Sequence, residues 1–133
     1  MSANTSPIFP LSPAIGIGSL NSATALTTRT PITGTTGLTL CVPTSTNGTR
    51  VDYITVKGQG TTVASNVCVW IYNGTTSFLL DEFDVTAITA ATTTDSFVLS
   101  RAYSNLTLPA TYALYISETV VTNMTVFAFG GVY

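Results

Sequence analysis

Strand-forming residues fill most of this chain, and turn signals separate them into short segments. Beyond residue 13, Thr, Val, Ile, Tyr and Phe dominate, whereas the strong helix formers Glu, Lys, Gln, Met and Arg are nearly absent. β-Branched and aromatic side chains suit the half-buried surface of a pleated sheet. The Asn-Gly pairs at residues 47–48 and 73–74 supply the positive φ angles that tight hairpin turns require. The sequence therefore predicts an all-β fold, an antiparallel β-sandwich that is jelly-roll-like, with an extended N-terminal arm.

Alternating apolar and polar residues between the turn signals predict nine short strands. The clearest hairpin joins the fifth and sixth strands through the turn at Asn73. We expect at most one helical turn, around Val85–Ala91. The predicted strands lie near Ile15–Leu20, Ala23–Thr28, Thr36–Val42, Arg50–Gly58, Ser65–Tyr72, Ser77–Val85, Asp95–Tyr103, Tyr112–Glu118 and Met124–Val132.

The first thirteen residues differ in composition from the rest of the chain. Proline recurs there at every third position from residue 7, which blocks both a helix and a central strand. We predict an extended Pro-rich arm over residues 1–13 and one β-sandwich domain over residues 14–133. Apolar side chains on such an arm indicate docking, either onto another protein or across the chain's own domain. The arm residues that we assign to a protein interface are Pro7, Ile8, Phe9, Pro10 and Leu11.

Charged side chains are scarce, with four Lys or Arg and six Asp or Glu among 133 residues. They make up 8% of the chain, whereas about a quarter is usual for a soluble domain. Charge repulsion, which keeps free domains apart, is therefore weak, and the composition indicates a permanent member of an assembly. The basic residues form no cluster that would neutralise nucleic-acid phosphates. No apolar run approaches the ~20 residues of a membrane helix. We expect neither nucleic-acid nor membrane binding.

Three strand segments alternate so that apolar or aromatic side chains fall on both of their faces. In Ser65–Tyr72, for example, Val67 and Val69 share one face and Trp70 lies on the other. Aromatic enrichment with depleted charge is typical of the core of a protein interface. The alternative is a central strand that is buried on both sides. The second-face residues that we assign to a protein interface are Trp70, Tyr72, Tyr115, Phe127 and Phe129.

The sequence holds little that could carry out catalysis or bind a metal. Without histidine it can form neither a Ser-His-Asp or Cys-His catalytic site nor a histidine-containing zinc site. Two cysteines cannot complete a four-cysteine zinc site, and no nucleotide-binding glycine loop is present. Asp81, Glu82 and Asp84 form the one acidic cluster. We interpret it as a solvated strand end, with a Ca²⁺ site or a catalytic carboxylate pair as alternatives. We therefore predict no catalytic residue, no metal and no cofactor.

Two further pairs of residues have predicted roles in the fold. Cys41 and Cys68 both lie in apolar runs, and free cysteine commonly behaves as a small hydrophobic residue. We predict that they are buried free thiols rather than a disulfide. Arg50 and Asp52 share one face of a predicted strand beside a turn, and we expect a salt bridge between them.

The chain as a whole resembles the small structural proteins of tailed bacteriophages. The residues that carry the resemblance are the segments SANTSPIF, NGTRVDYITVKGQGTT, VCVWIYNGTT and VFAFGG. The likeness spans most of the chain, as a pattern of turns and alternation rather than a site signature. It implies a virion protein without catalytic residues, of the capsid decoration (cement) type, that binds the major capsid protein or other virion proteins. It also implies a homo-oligomer, with a trimer favoured, whose terminal arm grips the shell.

The alternative function is a tail-fibre module that binds a receptor or a carbohydrate. In that case Trp70, Tyr72 or Tyr103 would serve as aromatic platforms for a sugar ring. Both functions depend on surfaces rather than on reactive groups.

Overall fold

The computed structural model describes residues 12–21 and 24–133. The predicted interface residues Pro7, Ile8, Phe9, Pro10 and Leu11 lie outside the described residues. Within them the chain forms nine β-strands and no helix, and none of these residues belongs to a helix that could cross a membrane. The strands are β1 (Ser12–Ser19), β2 (Ile32–Thr33), β3 (Thr39–Val42), β4 (Thr49–Gly58), β5 (Ser65–Tyr72), β6 (Thr76–Val85), β7 (Val98–Leu108), β8 (Ala113–Glu118) and β9 (Met124–Val132).

The strands form two antiparallel sheets. The four-stranded sheet has the order β1-β9-β4-β7, and the five-stranded sheet has the order β2-β6-β5-β8-β3. Apart from the short β2, successive strands change sheet at every connection except the β5–β6 hairpin. Two four-stranded sheets connected in this way make a jelly roll, with β2 as an added edge strand. The predicted all-β sandwich is therefore confirmed.

The core lies between the two sheets. Alternation in β4, interrupted by a bulge between Val51 and Tyr53, turns Val51, Ile54 and Val56 inward. There they share the core with Val67 and Val69 of β5. All five side chains are at most 2% exposed. Full burial of such a side chain contributes about 1.5–3 kcal/mol, so these inward positions hold the two sheets together.

The two long edges of the sandwich are closed in different ways. At one edge β1 lies against β3 so closely that a Cβ atom on Gly16 would be 2.5 Å from the carbonyl oxygen of Cys41. Only glycine permits that approach. At the other edge polar side chains join the sheets, because Arg101 and Tyr103 of β7 both donate to the Asp81 carboxylate of β6.

Most of the predicted strands are present, with shifted ends. The strand predicted at Asp95–Tyr103 begins at Val98 and continues to Leu108. Asn105 lies inside β7 with a φ of 63°. The pairing with β4 shifts register there, so Asn105 belongs to a bulge rather than to a loop.

Two expectations about local structure were wrong. Residues 24–28 of the strand predicted at Ala23–Thr28 form no strand, whereas the short β2 was not predicted. At most one helical turn was expected at Val85–Ala91, and none forms there, because β6 runs to Val85 and Ile88 then pairs with Thr62. The arm was placed two residues too far along the chain, since β1 begins at Ser12 rather than after residue 13. Pro13 is tolerated within β1 because β1 is an edge strand.

Candidate interaction surface

An apolar patch covers the outward side of the four-stranded sheet. Its members come from three adjacent strands, because the register places Phe129 of β9 between two apolar neighbours on β1 and β4. Phe127 lies one step along the same strand face. We call this patch the outer apolar face, and it comprises Ile15, Ile17, Tyr53, Phe127 and Phe129.

The aromatic rings of the outer apolar face are stacked. The ring centroids of Tyr53 and Phe129 are 4.7 Å apart at an interplanar angle of 22°, and those of Phe127 and Phe129 are 6.2 Å apart at 22°. Ile15 and Ile17 beside them are 60% and 59% exposed, and Tyr53 is 43% exposed. Contiguous exposed apolar surface of this kind marks interaction sites on soluble domains.

Charged residues of β4 lie towards the two ends of this strand. Near one end, the Arg50 guanidinium donates to the Asp52 carboxylate at 2.7 Å, so the predicted salt bridge is confirmed. Near the other end, the Lys57 ammonium donates to the carbonyl oxygen of Ser96 at 3.4 Å. A surface with an apolar centre and a polar rim has the composition of a protein interface.

The outward side of the five-stranded sheet is covered by the chain itself. Segment 24–38 crosses it, since Leu26 donates its backbone N–H to the carbonyl oxygen of Glu118 on β8, at 2.8 Å. Farther along, Arg29 forms an ion pair with Glu82 of β6 at 2.7 Å. The segment ends beside the same strand, where the Ser77 hydroxyl donates to the Gly34 carbonyl oxygen.

Trp70 lies on the same outward side, between the two strands that this segment contacts. It is in β5, between β6 and β8, and its side chain is on the opposite face of the strand from the core residues Val67 and Val69. Its exposure is nevertheless 0%, and its indole Nε1–H donates to the Ser117 hydroxyl at 2.9 Å. Trp70 is therefore buried within a single chain and does not offer its side chain to a neighbouring subunit.

Tyr72 and Tyr115 lie near each other on the same outward side. Their rings meet edge to face, with centroids 5.6 Å apart at an interplanar angle of 81°. Both are partly exposed. The predicted interface residues in the described part of the chain thus fall into three places: Phe127 with Phe129, Tyr72 with Tyr115, and the buried Trp70.

The acidic cluster is not a solvated strand end. A bulge in β6 lets Val69 pair with Asp81 and Trp70 with Leu79, so the alternation of side chains is interrupted at residue 80. Asp81 consequently faces the four-stranded sheet and accepts hydrogen bonds from Tyr103, at 2.6 Å, and from Arg101.

The carboxylates of this cluster have separate partners, which argues against a shared Ca²⁺ ion or a catalytic pair. Burial alone raises the pKa of Asp81, but the hydrogen bonds from Tyr103 and Arg101 outweigh it and hold that pKa below its usual value. Glu82 pairs instead with Arg29 on the other side of the sheet. Within residues 12–21 and 24–133 no three acidic or cysteine side chains converge as metal ligands would.

Cys41 and Cys68 are buried free thiols, as predicted. Burial raises the pKa of Cys41 to about 12, and it also raises the pKa of Cys68. Both thiols are therefore protonated at neutral pH and are poor nucleophiles.

Sequence reasoning did not identify Glu118, which ends β8. Its side chain is 0% exposed; Oε2 accepts the Thr122 backbone N–H at 3.2 Å, and Oε1 has no hydrogen-bond partner among the described residues. Burial raises its pKa to about 7. The only signal available was an acidic residue continuing the inward register of Leu114 and Ile116.

Tyr53, Ile15 and Ile17 were also not identified as interface residues. They join Phe129 and Phe127 only through the pairing of β1, β9 and β4, which are far apart in sequence. No protein-family model matches this chain, and neither a curated protein nor a solved structure matches it.

Proposed function

We propose that this chain is a non-enzymatic virion protein that decorates and stabilises a bacteriophage capsid. Its attachment surfaces are the N-terminal arm and the outer apolar face, and its partners are the major capsid protein or other virion proteins. The observation that carries the proposal is the outer apolar face, where stacked aromatic rings and exposed isoleucines lie together. We expect the chain to act as a homo-oligomer, with a trimer favoured.

The fold supports this proposal. Jelly rolls occur in viral capsid proteins, in lectin domains and in cupins. A histidine-containing metal site is impossible here, because the chain has no histidine. The low charge content suits a component that remains in an assembly rather than one that diffuses freely.

The mechanism is stabilisation by mass action. A protein that binds the assembled shell, and not the dissociated subunits, raises the free energy needed to open that shell. Such a protein needs apolar contact area rather than reactive groups. Aromatic residues in the centre of an interface commonly contribute most of its binding energy.

The alternative, a carbohydrate-binding module, receives less support from the positions of the aromatic residues. Trp70 is fully buried, so it offers no platform for a sugar. Tyr103 is partly buried, and its hydroxyl is engaged by Asp81 at 2.6 Å. Tyr72 is partly exposed but meets Tyr115 edge to face.

Quantitative mass spectrometry of purified virus particles tests the proposal. A copy number comparable with that of the major shell protein supports capsid decoration, whereas a few copies per particle indicate a tail fibre. Absence from the particle overturns the proposal.

A pair of variants tests whether the outer apolar face makes the attachment. Phe129→Asp should abolish incorporation into particles, because it places a charge in the centre of the face. Thr93→Asp adds the same charge at an exposed position outside the four-stranded sheet and should be incorporated like wild type. Equal incorporation of both variants contradicts an attachment through this face.

A further inference from the structure

An apolar cavity of about 100 Å³ opens between the two sheets at the edge where β1 lies against β3. Thr44 and Arg50, both exposed, mark its opening to solvent. The Arg50 side chain is engaged by Asp52, so it is not free to attract an anionic ligand. The apolar part of the wall is formed by Ala14, Val42, Val51, Ala128, Gly130 and Val132.

The size and chemistry of the cavity suit one aliphatic side chain. An enclosed apolar cavity of about 150 Å³ holds a benzene molecule. The cavity here has two-thirds of that volume and a mainly apolar wall, to which Ser45 and Thr49 add polar atoms, so it favours a branched aliphatic group over an aromatic ring.

We propose that this cavity receives an aliphatic side chain from residues 8–11 of a second copy of the chain. The inference rests on the proposed function, and it assigns the arm a definite acceptor. Ile8 and Leu11 are the aliphatic residues of that segment.

The position of the cavity relative to the arm supports this occupant. The arm joins the domain at Ser12, which pairs with the wall residue Val132, and Ala14 also lines the cavity. Ile15, a member of the outer apolar face, belongs to the wall as well. The cavity is therefore continuous with the surface that we propose as the interface.

A second copy is favoured over the chain's own arm for a geometric reason. Prolines at positions 7, 10 and 13 restrict their own φ angles and disfavour the helical conformation in the residues before them, so the sequence predicts an extended arm. An extended continuation of β1 beyond Ser12 leads away from Ala14 and Gly16, which line the cavity. Four extended residues span up to about 14 Å, which is enough to reach an adjacent subunit. Such a head-to-tail contact closes into a ring if the rotation between subunits permits it.

The test is self-association of the full chain, measured by sedimentation equilibrium. Ala14→Leu fills the cavity and should weaken association roughly tenfold or more. Ala87→Leu makes the same change at an exposed position between β6 and β7, away from the outer apolar face, and should leave association unchanged. Thermal unfolding of both variants shows whether each remains folded.

The arm is tested by a second matched pair. Ile8→Asp combined with Leu11→Asp should weaken association as much as Ala14→Leu, whereas Thr5→Asp combined with Ser6→Asp should not. Mixing the Ile8→Asp, Leu11→Asp double variant with Ala14→Leu should restore one contact between unlike chains. The double variant supplies an intact cavity, and Ala14→Leu supplies an intact arm.

Several results would overturn the proposal. A wild-type chain that stays monomeric at every concentration contradicts it, as does an Ala14→Leu variant that associates like wild type. The proposed function fails separately. If Phe129→Asp is excluded from particles while Ala14→Leu is incorporated and associates normally, the outer apolar face is the attachment site and only the cavity proposal is wrong.

Discussion

The outward sides of the two sheets both carry large apolar side chains, but these side chains differ in their exposure to solvent. On the five-stranded sheet, where segment 24–38 crosses from β8 to β6, Trp70 is 0% exposed. On the four-stranded sheet, no segment of the described residues covers Tyr53 and Ile15, which are 43% and 60% exposed. This difference in exposure follows from the path of the connection between β1 and β3, which crosses the outward side of the five-stranded sheet and not that of the four-stranded sheet. An apolar second face in a sequence therefore indicates that something covers it, but not whether the cover is the same chain.

The largest effect expected from this difference is on the stability of the monomer. Trp70→Ala should lower the free energy of unfolding by about 3–5 kcal/mol, because it removes a fully buried ring and leaves a cavity beneath segment 24–38. Phe129→Ala removes a partly exposed ring and its two stacked pairs, with Tyr53 and with Phe127, so a smaller loss of about 1–3 kcal/mol is expected. Denaturant unfolding at a concentration where the chain is monomeric measures both. Equal losses would mean that the two outward sides are buried to the same extent.

The next effect concerns Glu118, where the covering segment first contacts the sheet through Leu26. Burial raises the pKa of Glu118 to about 7 in the folded chain, above its ordinary value of 4.5. A carboxyl whose pKa is raised by folding favours the folded state at low pH. The stability it contributes is fully present below pH 4.5 and is lost as the pH rises through about 7. The loss is about 3 kcal/mol at most.

Glu118→Gln should remove this pH dependence, because the amide stays neutral at every pH. The variant should be more stable than wild type at pH 8 and close to it at pH 4. Asp95→Asn, at an exposed position, is the control and should keep the wild-type pH profile. Thermal unfolding midpoints across this range provide the measurement, and an unchanged profile for Glu118→Gln would show that the carboxyl is not the titrating group.

A smaller effect is expected on association. Phe129→Ser should leave the monomer folded and weaken self-association about tenfold, equivalent to about 1.4 kcal/mol. Phe78→Ser, which changes an exposed aromatic residue on the five-stranded sheet, should have no such effect. Sedimentation equilibrium compares them. A result in which Phe78→Ser weakens association and Phe129→Ser does not would move the interface to the other sheet.

The sequence predicts these strands because local alternation is strong in them. Val126, Phe127 and Ala128 occupy the predicted faces of β9, and Val67 and Trp70 occupy those of β5. Where alternation breaks, the prediction fails. The bulge at residue 80 shifts Asp81 to the other face, and a one-residue shift of this kind cannot be read from composition.

The candidate surface was only half predictable, for a related reason. Phe127 and Phe129 follow from the pattern of β9 itself. Tyr53 and Ile15 join them through strand pairing between distant segments, and no local signal sets that register. The cover over Trp70 was missed because residues 24–28 were predicted to be a strand.

The smallest expected effect is a difference in alkylation rate between the two cysteines, which are buried in different parts of the sandwich. Cys41 contributes to the core between the sheets, whereas Cys68 lies on the outward side of β5 and its thiol is 3.9 Å from Glu82, the partner of Arg29. Since neither thiol is in a disulfide, a reductant should leave the unfolding midpoint unchanged.

Arg29→Ala removes an exposed ion pair, so it should lower the free energy of unfolding by less than about 1 kcal/mol. It should nevertheless loosen the covering segment and speed alkylation of Cys68 without changing the rate at Cys41. Peptide mapping after timed alkylation measures both rates. Equal acceleration at both cysteines would indicate global unfolding, and no acceleration at Cys68 would show that the ion pair does not hold the cover in place.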